Sequence, residues 1–142
     1  MFRLFMVLAV FVLIAGCGDD SPSGPTGWNN GNWSGQTSTL IPITFTLDHP
    51  DITNWTITVT HNYSDTTDTR TWTAPALTIG QDSTFSWSDS VYADSLQYSF
   101  SMSGNFVSGD SVTGYWDSTV YYQLTGTSGS DEIGGNWTAS GP

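Results

Sequence analysis

Two histidines, His49 and His61, stand among 12 Asp and 19 Ser, so a Ser-His-Asp relay is the first chemistry to test. An imidazole held between a carboxylate and a hydroxyl can take the hydroxyl proton and make the oxygen nucleophilic. The Gly-x-Ser-x-Gly elbow that presents such a serine in one large hydrolase class is missing. His61 lies on the apolar phase of a Thr-rich run and reads as a hydrogen-bonded core imidazole, while His49 sits in the turn Asp48-His49-Pro50-Asp51. Paired carboxylates for glycoside hydrolysis need one acid whose pKa is raised by its surroundings. Here most acids fall in turns or on the polar phase, and Glu132 is the single glutamate. Asp48, Asp51, Asp65, Asp68, Asp82, Asp89 and Asp94 offer hard oxygens of the kind calcium takes. No Asp-x-Asp-x-Asp-Gly loop gathers them, so they read first as turn formers, with calcium an open option. The sequence assigns no catalytic residue, no metal ligand and no cofactor.

One residue does carry chemistry. Cys17 is the only cysteine, so an internal disulfide or a site needing two thiolates is excluded. It follows Met1-Phe2-Arg3 and twelve apolar residues, 4–15. One positive charge, a short apolar run and then small residues is the layout of a secretory leader. Twelve residues of helix span about 18 Å, too short for a ~30 Å hydrocarbon core. Ile14-Ala15-Gly16-Cys17 resembles the lipobox of bacterial lipoproteins. The resemblance implies a diacylglyceryl thioether on Cys17, cleavage before it, and anchorage in the bilayer through the acyl chains. Gly18 rather than Asp after the cysteine implies the outer membrane in that family's sorting habit. The expected organisation is a leader over residues 1–16, a flexible tether over 17–30 rich in Asp, Ser, Pro and Gly, and a folded domain over 31–142.

Composition narrows the partners. With 13 Asp+Glu against 2 Lys+Arg, the net charge is −11, which excludes nucleic acid and polybasic docking on anionic lipid. Ser and Thr number 40 while aromatics make up 14%, enough to build a core and escape disorder.

In the domain, apolar residues recur with period 2. Ile41, Ile43, Phe45 and Leu47 form one set; Trp55, Ile57, Val59, His61 and Tyr63 a second; Leu96, Tyr98, Phe100 and Met102 a third. Phe85 and Trp87, then Val112, Gly114 and Trp116, and finally Val120, Tyr122 and Leu124 extend the pattern, with Ser, Thr or Asp in alternate positions. Turn residues separate the runs at 48–51, 64–68, 80–82, 108–110 and 126–131. The sequence predicts an all-β domain: an antiparallel sandwich or small barrel of seven to nine strands, without helix. Pro42 is expected on an edge or at a bulge, and dense Ser/Thr on the second face argues against a lipid-facing barrel.

Gly31-Asn32-Trp33-Ser34 and Gly135-Asn136-Trp137-Thr138 repeat a motif at the two ends of the domain. The first resembles the Gly-x-Trp signature of lipocalin-like and avidin-like barrels, which implies a carrier of a small apolar ligand. The plainer reading is that glycine lets an indole lie across a neighbouring strand. The closing stretch from Ser103 through Gly114-Tyr115-Trp116 to Ala139 also resembles β-rich bacterial lipoproteins. Five tryptophans on the apolar phase, Trp55, Trp72, Trp87, Trp116 and Trp137, predict a filled interior. Tyr92, Tyr115 and Tyr121 fall out of phase and are the candidate surface contacts. The expected function is that of an anchored, non-enzymatic binding or structural module with a protein or glycan partner; oligomeric state is left open.

Overall fold

The computed structural model describes residues 27–142 apart from residue 125. The leader, Cys17 and most of the tether lie outside the described residues. Among the described residues nine antiparallel strands form one sheet: β1 Gly31–Thr37, β2 Pro42–Asp48, β3 Asp51–Tyr63, β4 Thr66–Thr73, β5 Leu77–Thr78, β6 Thr84–Ala93, β7 Leu96–Ser108, β8 Ser111–Leu124 and β9 Thr127–Ser140. No helix occurs among the described residues. The order is β4-β3-β2-β1-β9-β8-β7-β6, with β5 alongside β3. First and last strands pair, Ser34 with Ser140 and Thr37 with Trp137, so the up-and-down meander curls into a half-barrel rather than splitting into two sheets.

Its two free edges, β4 and β6, face one another without a backbone ladder. At one end β5 closes the seam, pairing with β3 through Asp51↔Thr78 and Ile52↔Leu77 and packing against β6. Elsewhere side chains close it, Trp72 meeting Trp87 edge-on at 6.4 Å. Both edges carry charge on their inward phase, Asp68 and Arg70 on β4 and Asp89 on β6. Such charges discourage a foreign strand from adding to the sheet.

Local chemistry explains the turns. Ser64-Asp65 and Asp94-Ser95 each have two consecutive positive φ angles, the conformation that matches the twist of two-residue hairpins. At Asn54, φ is 55°, where the β2–β3 register slips between Thr44↔Thr56 and Thr46↔Thr53. This bulge lets Ile52 and Trp55, three residues apart, both face inward.

Three sequence expectations change. Residues 127–131 belong to β9, paired as Tyr122↔Gly129 and Val120↔Asp131, so the expected 126–131 turn shrinks to its first residue. Pro42 is the first residue of the internal strand β2, opposite Gln36, where the ladder toward β3 has not begun and its missing N–H costs nothing. Trp28, assigned to the tether, stacks on Phe106 at 4.7 Å, and the Asn29 N–H donates to the Gly109 carbonyl at 2.9 Å.

Along the barrel axis the inner face is layered. Trp33, Phe45, Phe85, Phe106 and Trp137 fill one end, and Trp55, Trp72, Trp87, Phe100 and Trp116 fill the middle. The far end is polar, around His61, Tyr98 and Arg70.

Candidate functional site

The polar end brings together the relay that the sequence had not assembled. β3 carries His61 across the interior to β8 and β9, strands that are not its ladder neighbours at this level. There Nδ1 lies 2.9 Å from Asp131 Oδ2 and Nε2 lies 2.9 Å from Ser118 Oγ. The Asn62 N–H also donates to Asp131 Oδ2, at 3.2 Å. Ser118 Oγ is 3.2 Å from the Ser99 carbonyl. With neutral His61, the Ser118 hydroxyl donates to Nε2; with imidazolium, Nε2–H donates to Ser118, which turns its proton to Ser99. Either charge state leaves the network satisfied.

The geometry is that of a Ser-His-Asp relay, but the setting is a core. His61 and Ser118 are both 0% exposed, so a substrate carbonyl cannot reach Oγ in this conformation. His61 is thus the hydrogen-bonded core imidazole its phase implied. Its partners had a legible signal only in part. Ser118 breaks the apolar phase between Trp116 and Val120, but Asp131 lay in a stretch read as a turn.

Next to this network, Arg70 Cζ lies 4.4 Å from the Tyr98 ring centroid and 5.6 Å from that of Trp72. The guanidinium therefore stacks on π faces. Burial first, then hydrogen bonding to Asp68 and Tyr63 and the charge of Asp68, hold the Tyr98 hydroxyl well above the ordinary phenol range. The aspartates considered for calcium do not converge: no group of three or more His, Cys, Asp or Glu side chains forms among the described residues. Asp82 instead accepts from the Thr84 hydroxyl and N–H, and those bonds lower its pKa.

The outer face is different ground. Tyr92, Tyr115 and Tyr121 are 75%, 51% and 49% exposed, and register places all three on the outward side of β6–β8. Tyr92 pairs with Gln97, which pairs with Tyr121; Tyr115 pairs with Ser103. Between them run rows of small hydroxyls: Ser88 beside Ser101, and Ser90 beside Ser99. A cleft of about 580 Å3 opens where the Tyr92 and Tyr121 rings flank Gln97. The sequence marked the tyrosines because they broke the apolar phase; Gln97 escaped notice because a polar residue in a polar phase carries no signal. No protein-family model matches this chain, and neither does any curated protein or solved structure.

Proposed function

We propose that this chain is a lipid-anchored envelope module that binds a partner through the outer face of β6–β8 and catalyses no reaction. The observation that carries the reading is the division of its rings. The inner face uses its aromatics for packing, whereas three tyrosines on one outward face are left to solvent. Exposed rings on a stiff sheet lose little entropy when they bind. The leader-like start and Cys17 supply the anchor, since two or three acyl chains hold a soluble domain at a bilayer. The buried nucleophile of the Ser118–His61–Asp131 set supports a non-enzymatic role.

Three measurements test this. Mass spectrometry of the native protein should find a thioether-linked lipid on Cys17; an unmodified thiol overturns the anchor. Replacing Tyr92, Tyr115 and Tyr121 together by Ala should abolish capture of envelope components without changing the melting temperature. Labelling of Ser118 by a fluorophosphonate probe would overturn the non-enzymatic reading.

A carrier is the second reading, and two observations favour it. The β1–β9 pairing gives the strand order of an up-and-down barrel, the architecture that encloses small ligands in other proteins. Buried indole N–H groups of Trp55, Trp72 and Trp116 have no acceptor among the described residues. Each unsatisfied donor costs about 1–3 kcal/mol, which an acceptor-bearing guest would relieve. Native mass spectrometry of the purified domain separates the readings, because a carrier retains a stoichiometric small molecule.

A further inference from the structure

The cleft between Tyr92 and Tyr121 has a composition that names a ligand class. We infer that it takes a pyranose ring of a neutral glycan, an assignment that rests on the outer-face reading above and makes it specific. The two tyrosines stand on β6 and β8 with β7 between them, so their backbones are two strand spacings apart, about 9–10 Å. A flat ring held between two aromatic faces needs roughly 7–8 Å, twice the ~3.5–4.0 Å contact distance of carbon atoms. Rotation of the exposed tyrosine side chains would close the difference. The floor and rims supply Gln97, Gln123, Ser95 and Ser128. Amides and hydroxyls each offer donors and acceptors to a sugar's equatorial hydroxyls, while the tyrosine faces meet its axial C–H groups.

Charge fixes the rest. The protein carries a net −11, yet no charged side chain lines this cleft. An acidic glycan or a nucleotide is repelled by the overall field. A cationic ligand finds no carboxylate in the cleft to hold it. Protein interfaces also use tyrosine, but they deplete serine and favour Met and Arg, whereas here the rings stand among Ser95, Ser128 and two glutamines, with neither Met nor Arg. A neutral ring bearing hydroxyls remains.

The test uses the folded protein in affinity gel electrophoresis against three polysaccharides: hydroxyethyl cellulose, yeast mannan and polygalacturonate. At least one neutral polymer should retard the wild-type protein, and polygalacturonate should not. Tyr92→Ala, Tyr121→Ala and Gln97→Ala should each weaken the interaction about tenfold, the worth of roughly 1.4 kcal/mol of stacking or hydrogen bonding. All three sites are at the surface, and unchanged melting curves will show that the variants are folded. Retardation by neither neutral polymer, stronger retardation by polygalacturonate, or binding unaffected by the substitutions would overturn the assignment. If the triple tyrosine variant loses capture of an envelope protein while neutral glycans fail to bind, the glycan assignment falls and the outer-face reading stands. If neither glycan nor envelope capture depends on the tyrosines, both fall.

Discussion

His61 is the centre of the polar network at the far end of the barrel. It ties β3 to β8 and β9 across the barrel, where no backbone ladder does so. Asp131→Ala strips the acceptor from His61 Nδ1 and from the Asn62 N–H, and Ser118→Ala strips the partner of Nε2. Each should cost about 1–3 kcal/mol in urea unfolding. Because both act through one imidazole, the double variant should depart from additivity by roughly 0.5–3 kcal/mol; strict additivity would mean that the two bonds are independent. Tyr98 gives a pH prediction with a definite sign. An unfolded tyrosine ionises near pH 10, and in the fold Tyr98 holds its proton to higher pH. Its contribution is therefore fully present below about pH 10 and is lost as the pH rises from there toward the folded value. Unfolding free energies between pH 8 and 11 should decline more gently in Tyr98→Phe than in wild type.

At the scale of elements, paired glycines set how closely β7, β8 and β9 can carry an indole. Gly104 faces Gly114, and Gly114 faces Trp137. The Trp137 ring lies over both glycines, and its N–H reaches the carbonyls of Ser103 and Tyr115 at 3.1 and 3.3 Å. A Cβ on Gly114 would strike the Ser103 carbonyl and this ring. Gly114→Ala should destabilise the domain by about 1–3 kcal/mol in a thermal melt, the usual cost of overpacking. Measured against Trp137→Leu alone, the same glycine substitution should cost less than in wild type, since the ring clash is gone and the Ser103 carbonyl contact remains. The Trp137 indole does cross neighbouring strands, but the glycines beneath it are Gly104 and Gly114; the motif's own Gly135 lies against Ser38 instead. Gly141 plays the corresponding part for Trp33, whose ring a Cβ there would meet.

For the whole molecule, the question is what keeps a half-barrel closed along a seam without a backbone ladder. The answer is ring packing: Trp72 stacks on Phe100 at 5.2 Å, and Trp55 and Trp87 lie against the same ring at 5.7 and 5.6 Å. Trp55→Ala, Trp72→Ala and Trp116→Ala should each cost roughly 3–5 kcal/mol, a large share of the about 5–15 kcal/mol that holds a domain together. Trp87, only half-buried at the seam, should cost less. Urea unfolding of the four variants checks the ranking. Near-wild-type stability in any of the three buried positions would mean a loosely filled interior and would favour the carrier.

Period-2 alternation is a local property, so the all-β class, the inward set and the outward tyrosines could be read from the sequence. Each follows from which way successive side chains point along a pleated strand. Two-residue turns left a trace only where their residues differed from the strand composition; Asp94-Ser95 sits in a Ser-rich region and did not stand out. Closure was not local. The choice of one curled sheet over two stacked sheets depended on β1 pairing with β9, a contact between the two ends of the domain that no run of residues encodes by itself. The same long-range closure brought His61 to Asp131, 70 positions away, and to Ser118, 57 away. Hairpin register, by contrast, set Gln97 between Tyr92 and Tyr121, and so made a cleft from residues that in sequence are only strand. Side-chain phase is written residue by residue, but a site built across strands exists only after register and curvature have chosen which residues meet.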